Sequence, residues 1–220
     1  MKKHLLAFSL VFFSLYTGSL FSKDLPALLY RVKGAVEVLP GDVSSPQWKP
    51  AKPGMGLAKK DRIKTGPAST AQILLSDGSF CQVREKSVFE IEELIYDAKS
   101  RSQQSSLKVW SGTLLSRVQK LQKGSDAKFR TPTALVAVRG TELGLDVAED
   151  GTTDLALYDG KIVVKDFVEE SGLPQRQDDL LLQILHEVSI NAGQGSKIDK
   201  EGVSRPKKIG AGSFQKPRLV

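Results

Sequence analysis

Gln72-Ile73-Leu74-Leu75-Ser76-Asp77-Gly78-Ser79-Phe80-Cys81-Gln82-Val83 decides the fold class of this chain. Strand-forming side chains run up to an Asp-Gly pair and away from it again. Asp-Gly supplies the positive φ angles that a tight two-residue turn requires, so the stretch predicts a hairpin. The same device stands at Asp150-Gly151 and at Asp159-Gly160, the latter joining residues 154–158 to residues 161–165. Three such turns favour antiparallel β-structure.

Outward from this hairpin the pattern repeats. Residues 27–32 and 34–39 read as strands, with Val36 and Val38 pointing one way and Glu37 the other. Residues 89–96, 107–110, 112–118 and 129–131 follow, then two short runs on either side of Gly140 within 134–147. Turn signals recur every ~8–12 residues, the rhythm of a sandwich or barrel. Residues 44–56, with three prolines and Trp48, read as an ordered loop, and the polar residues 99–106 read as an exposed one. The expected fold is all-β and antiparallel, a sandwich or a barrel. One stretch breaks the rhythm. Asp178 and Asp179 before a Leu-rich run suit a helix N-terminus, so 178–187 is either a short helix or a strand leading into Val188.

The N-terminus carries Lys2 and Lys3, then residues 5–21 without a charge, then small residues. That order is a secretory signal. The alternative is an uncleaved anchor in the inner membrane, but the run is short for a bilayer and diluted by Ser9, Ser14, Thr17, Gly18 and Ser19. No cysteine lies near the cleavage region, which excludes a lipoprotein. The expected organisation is a signal helix over 1–22, a β domain over 23–202 with an insertion at about 166–187, and a basic flexible tail over 203–220. The expected location is the periplasm.

The charge balance narrows the partners. The chain has 32 basic and 25 acidic residues, and its excess sits at the two ends. Arg205, Lys207, Lys208, Lys216 and Arg218 fall in the tail, without an acid among them, while residues 23–202 are neutral in sum. A neutral domain argues against nucleic acid. A basic tail is either solvated disorder or a contact for an anionic lipid surface or wall polymer such as peptidoglycan.

Elimination covers much of the chemistry. His186 is the one histidine beyond the signal and Cys81 the one cysteine, so neither a nucleophile–histidine arrangement nor a Cys/His zinc site has its parts. Cys81 reads as a small core residue, with a reactive thiol as the alternative. No phosphate loop occurs. Asp150, Gly151 and Asp154 lack the closing glutamate of a calcium loop. No carboxylate pair stands in a context that singles it out. The reading is a non-enzymatic protein with no cofactor and no metal.

Several segments in order resemble the FecR domain of bacterial envelope proteins. They are Gly34-x-Val36, Trp48, Gly56-Leu57, Asp61-Arg62-Ile63-Lys64-Thr65-Gly66, residues 71–79 and Gly112-Thr113-Leu114. The most specific is Phe129-Arg130-Thr131-Pro132-Thr133-Ala134-Leu135-Val136-Ala137-Val138-Arg139-Gly140-Thr141-Glu142-Leu143, followed by residues 158–164 and 188–194. The resemblance spans about residues 30–200. It implies an extracytoplasmic, jelly-roll-like antiparallel β-sandwich acting by contact with another envelope protein in sensing or regulation. FecR-like regulators carry a cytoplasmic sigma-binding part before one membrane helix. Here four residues precede the apolar run, so that module is expected to be missing. Within the motif, Gly140 is expected to let the chain bend or two backbones approach. Arg139 stands in an apolar run; it either holds two strands from a buried position or faces an anionic ligand. Arg139, Gly140 and Thr141 are therefore the candidate contact residues.

Edman sequencing of the exported protein is expected to begin at Leu20 or Lys23, for cleavage after Ser19 or Ser22. A start at Met1 would establish the uncleaved anchor instead.

Overall fold

The computed structural model describes residues 26–97, 99–100, 102–120, 123–166 and 187–210. Eighteen strands occur among them. The first half supplies β1 (Ala27–Lys33), β2 (Val36–Leu39), β3 (Lys49–Pro50), β4 (Gly56–Leu57), β5 (Arg62–Thr65), β6 (Thr70–Leu75), β7 (Phe80–Val83) and β8 (Val88–Asp97). The long β9 (Ser102–Arg117) follows. The second half supplies β10 (Asp126–Arg130), β11 (Ala134–Val138), β12 (Glu142–Val147), β13 (Thr153–Asp159), β14 (Lys161–Asp166), β15 (Glu187–Asn191), β16 (Gln194–Asp199), β17 (Gly202–Val203) and β18 (Lys207–Lys208).

These strands form two sheets that share β9. The first runs β4–β1–β6–β7–β9–β12–β13–β16, with β17 and β18 beside β16. The second runs β3–β2–β5–β8–β9–β10–β11–β14–β15. Alternation turns one face of each sheet inward. Leu29, Ile73, Leu114, Leu143 and Leu157 of the first sheet join Ile63, Phe89, Val109, Phe129, Val136 and Ile162 of the second in one core. The all-β sandwich expected from the sequence is what the chain forms.

β9 belongs to both sheets because it bends. Residues up to Ser111 pair with β8 and β10; residues from Gly112 onward pair with β7 and β12. Gly112 makes the bend at φ 83°. A Cβ there would lie 2.2 Å from Ser87 Oγ and 2.7 Å from Ser87 Cα. Ser87 Oγ accepts the Thr113 N–H at 2.9 Å, which satisfies the backbone where the ladder changes sheets. Ser69 does the same at the crossing from β1 to β2, accepting the Ala35 N–H at 2.9 Å. Beyond Arg117 the chain returns to the second sheet and β10 begins beside Gln104. It has made one circuit of the sandwich, so β10 runs parallel to β9 while all other pairs are antiparallel.

The turns correct the sequence reading in two ways. Between β6 and β7 the loop holds four residues, and between β12 and β13 five, rather than two. Leu75 N–H donates to Ser79 C=O and Ala148 N–H to Thr152 C=O, each at 2.9 Å. Only the glycine takes positive φ; the aspartate caps the turn, Asp77 accepting from Ser79 N–H at 2.8 Å and Asp150 from Thr152 N–H at 2.9 Å. Asp159-Gly160 is not a hairpin at all. It carries the chain from β13 in the first sheet to β14 in the second.

Two expected boundaries also move. Residues 102–106, assigned to a loop, are the start of β9. Gln103 and Ser105 face inward there, so polar residues occupy both sides and the period of two has no apolar signal. Residues 203–210, assigned to a flexible tail, lie along the sheet edge: Val203 pairs with Ile198, and Lys208 with Gln194. Arg205, Lys207 and Lys208 are exposed on this edge, where charge and Pro206 discourage further strand pairing. Lys216, Arg218, the signal and 178–186 lie outside the described residues; Glu187 opens β15.

Gly112→Ala is expected to cost about 3 kcal/mol, from left-handed strain plus overpacking against Ser87. A urea midpoint equal to that of the parent chain would show that the bend tolerates a side chain.

Candidate functional site

The sequence singled out the crossing at Arg139, Gly140 and Thr141. It joins β11 in the second sheet to β12 in the first. Gly140 takes φ 61°, and its N–H donates to Gln119 C=O at 3.2 Å. Val118 N–H donates to Thr141 C=O at 2.8 Å. The crossing from β13 to β14 packs directly on it: a Cβ on Gly160 would meet Thr141 Cγ2 at 2.8 Å and Gly140 O at 3.0 Å. The bend and close approach expected of Gly140 are both present. Thr141 is buried and its hydroxyl has no hydrogen-bond partner. Arg139 is exposed, so burial does not force a carboxylate partner on it.

The neighbouring motif residues serve the architecture. Thr131, Thr133 and Thr153 are buried together at the opposite end of the sandwich. Thr153 Oγ1 donates to Thr131 Oγ1 at 2.7 Å and lies 3.0 Å from Thr133 Oγ1. Thr131 Oγ1 accepts the Ala134 N–H at 2.9 Å, and Thr133 Oγ1 donates to Gly151 C=O at 2.9 Å. The threonines thus pin the β10–β11 turn of one sheet to the β12–β13 turn of the other.

Cys81 is a core residue, as expected. Burial, the largest cause, pushes its thiol up to about 12, against a smaller opposing effect of the hydrogen bond with Ser116. A thiol that far from ionising is a poor nucleophile at neutral pH. Among the described residues no group of three or more His, Cys, Asp or Glu side chains is placed to hold a metal ion.

A second cluster, which the sequence reading missed, stands on the outer face of the second sheet. Arg62 of β5, Glu90 of β8 and Lys108 of β9 are neighbours in register. Arg62 Nε and Trp110 Nε1 both donate to Glu90 Oε2, at 2.7 and 2.9 Å. Lys108, only 3% exposed, holds its Nζ 3.5 Å from the Trp110 ring centroid, and Arg62 Cζ lies 5.2 Å from it. Next along, Lys64 Nζ lies 5.9 Å from the ring of Trp48. Glu90 sits lower than Arg62: its side chain is 14% exposed and that of Arg62 is 44%. This face presents aromatic rings and positive charge to solvent, a combination suited to recognition. Its parts come from strands far apart in sequence, so only the strand register reveals it.

Residues 61–163 match the family model described as FecR protein. This stretch is a FecR domain. The FecR domain runs from Asp61, just before β5, into β14, and holds both crossings, the threonine pin and Trp110. Trp48, β1 to β4 and β15 to β18 lie outside the matched stretch and complete the two sheets around the FecR domain. Two crystal structures of a protein from Parabacteroides distasonis, named provisionally as an anti-sigma factor, align at 18% identity with TM-scores of 0.48 and 0.47. The alignments cover 67% of this chain and 59% of that one. No curated protein matches the chain.

Glu90→Ala is expected to lower stability by about 1.5–3 kcal/mol, the scale of a lost hydrogen bond to a charged group. Tryptophan fluorescence should change with it, as Trp110 loses its acceptor. An unshifted spectrum and unchanged urea midpoint would mean the cluster is not held by Glu90.

Proposed function

We propose that the chain is an extracytoplasmic protein that works by protein–protein contact in envelope sensing or regulation, without catalysis. The observation that carries this reading is the FecR domain over residues 61–163. Three features of the fold support it. Thr131 and Thr133 of the specific motif hold the two sheets together. The one thiol is buried. The outer face of the second sheet offers Trp110, Arg62 and Lys64 on a rigid frame, and rigid aromatic and arginine side chains are what protein partners grip. The signal expected over 1–22 supports a location beyond the cytoplasmic membrane.

The alternative is a module held to peptidoglycan or another anionic envelope polymer. Arg205, Lys207 and Lys208 are exposed along β16 and give that reading its cationic surface.

Photo-crosslinking in intact cells from positions 62, 64 and 110 separates the two. The expected result is a defined protein adduct of one size. Failure to form any protein adduct, with co-sedimentation on purified peptidoglycan, would overturn the first reading in favour of the second.

A further inference from the structure

The described residues separate their charge into two surfaces. From Trp48 to Lys64 the chain carries Lys49, Lys52, Lys59, Lys60, Arg62 and Lys64, all exposed. The one acid in that stretch, Asp61, is buried and accepts the N–H groups of Gly41 and Ala58 at 3.0 and 2.9 Å. From Glu142 to Asp159 the chain carries six acids and no cation. Asp146, Glu149, Asp150, Asp154 and Asp159 are exposed; Glu142 is buried, 3.4 Å from Arg117 Nη2. Neutrality of the whole domain hides this division.

The fold prevents the two surfaces from neutralising each other within one molecule. The basic stretch builds β3, β4 and β5, all before β9, with Arg62 and Lys64 on the outer face of the second sheet. The acidic stretch builds the β12–β13 hairpin, after β9 and in the first sheet. Among the described residues no ion pair joins them. Lys59 reaches Glu93 at 3.9 Å and Arg62 reaches Glu90 at 2.7 Å, both within the first sequence half. Among the described residues, Lys49, Lys52, Lys60 and Lys64 have no acid within ion-pair distance, though Glu37 stands opposite Lys64 in register, and the five exposed acids of the hairpin have no cation within it, though Lys197 stands opposite Asp154 and its charge acts on Asp150.

We propose that the chain associates head to tail with a second copy of itself, the basic rim at β3–β5 of one copy against the acidic β12–β13 hairpin of the next. Charge complementarity selects this occupant, because one chain carries both halves of the contact. Trp48, 38% exposed among the cations, supplies an apolar anchor at the rim. Engaged once per pair of copies, the contact is heterologous and yields a ring or an open string. It shares Arg62 and Lys64 with the partner face considered above, so the two contacts compete for that face, and sedimentation of the purified chain reads self-association alone.

Sedimentation velocity on the purified full chain tests it. Association is expected at low ionic strength and is expected to vanish in about 1 M salt, where charges are screened beyond about 3 Å. Lys49→Glu with Lys64→Glu in one chain should weaken self-association about tenfold or more, and so should Glu149→Lys with Asp154→Lys in another. Mixing the two reversed chains should restore association as a one-to-one complex, an outcome that requires both to be folded. A parent chain that stays monomeric at low salt would overturn the proposal. So would association indifferent to the reversals, or a mixture that fails to recover.

Discussion

The bend of β9 at Gly112 is the constraint on which the rest of the molecule depends. A strand of this length cannot stay in one sheet without running past the core. By turning over Ser87 it lends its first part to one layer and its second part to the other. The cost is a backbone conformation that side chains avoid and a contact too close for any Cβ. The return is two sheets whose relative position is set by a covalent strand rather than by side-chain packing alone. Ser87 and the Thr113 amide close the hydrogen-bond account at the point where both ladders stop.

Much of this architecture was legible in the sequence. Period-two alternation at Val36-Glu37-Val38 and the Asp-Gly pairs at 77–78 and 150–151 announced half-buried antiparallel strands, and those strands formed. What stayed hidden had a physical cause in each case. Asp159-Gly160 has the composition of a hairpin turn, but its glycine is needed where two inter-sheet crossings touch, and composition does not say which sheet the next strand joins. Gln103 and Ser105 are polar side chains turned inward, so the start of β9 lacked the apolar rhythm that marks a strand. The basic residues after 203 looked like a solvated tail because Pro206 and charge are also what an edge strand carries.

The candidate site divides along the same line. The motif from Phe129 to Leu143 was visible as a pattern, yet Thr131, Thr133 and Gly140 work on the architecture, and Arg139 of the singled-out trio is exposed. The Trp110 cluster was invisible because Arg62, Glu90 and Lys108 are 28 and 18 residues apart along the chain and meet only through register. Segregation of charge was missed for a related reason: a sum over the domain erases what a map over the surface retains. Both lessons concern non-local geometry, which residue types do not encode singly.

The circuit that β9 and β10 complete also bears on how the chain acquires its structure. β9 is the last strand of the first half and the first strand of the second. Until β10 and β12 arrive, its far edge in each sheet is unpaired; until β7 and β8 are in place, the bend at Gly112 has nothing to rest on. The two halves therefore cannot mature as independent units, and the parallel pairing of β10 requires the intervening circuit to close first. Contacts of this kind are distant in sequence, so loop-closure entropy is met before the contacts that repay it. A chain built this way gains its order late and together, with the middle strand as the member for which both halves wait.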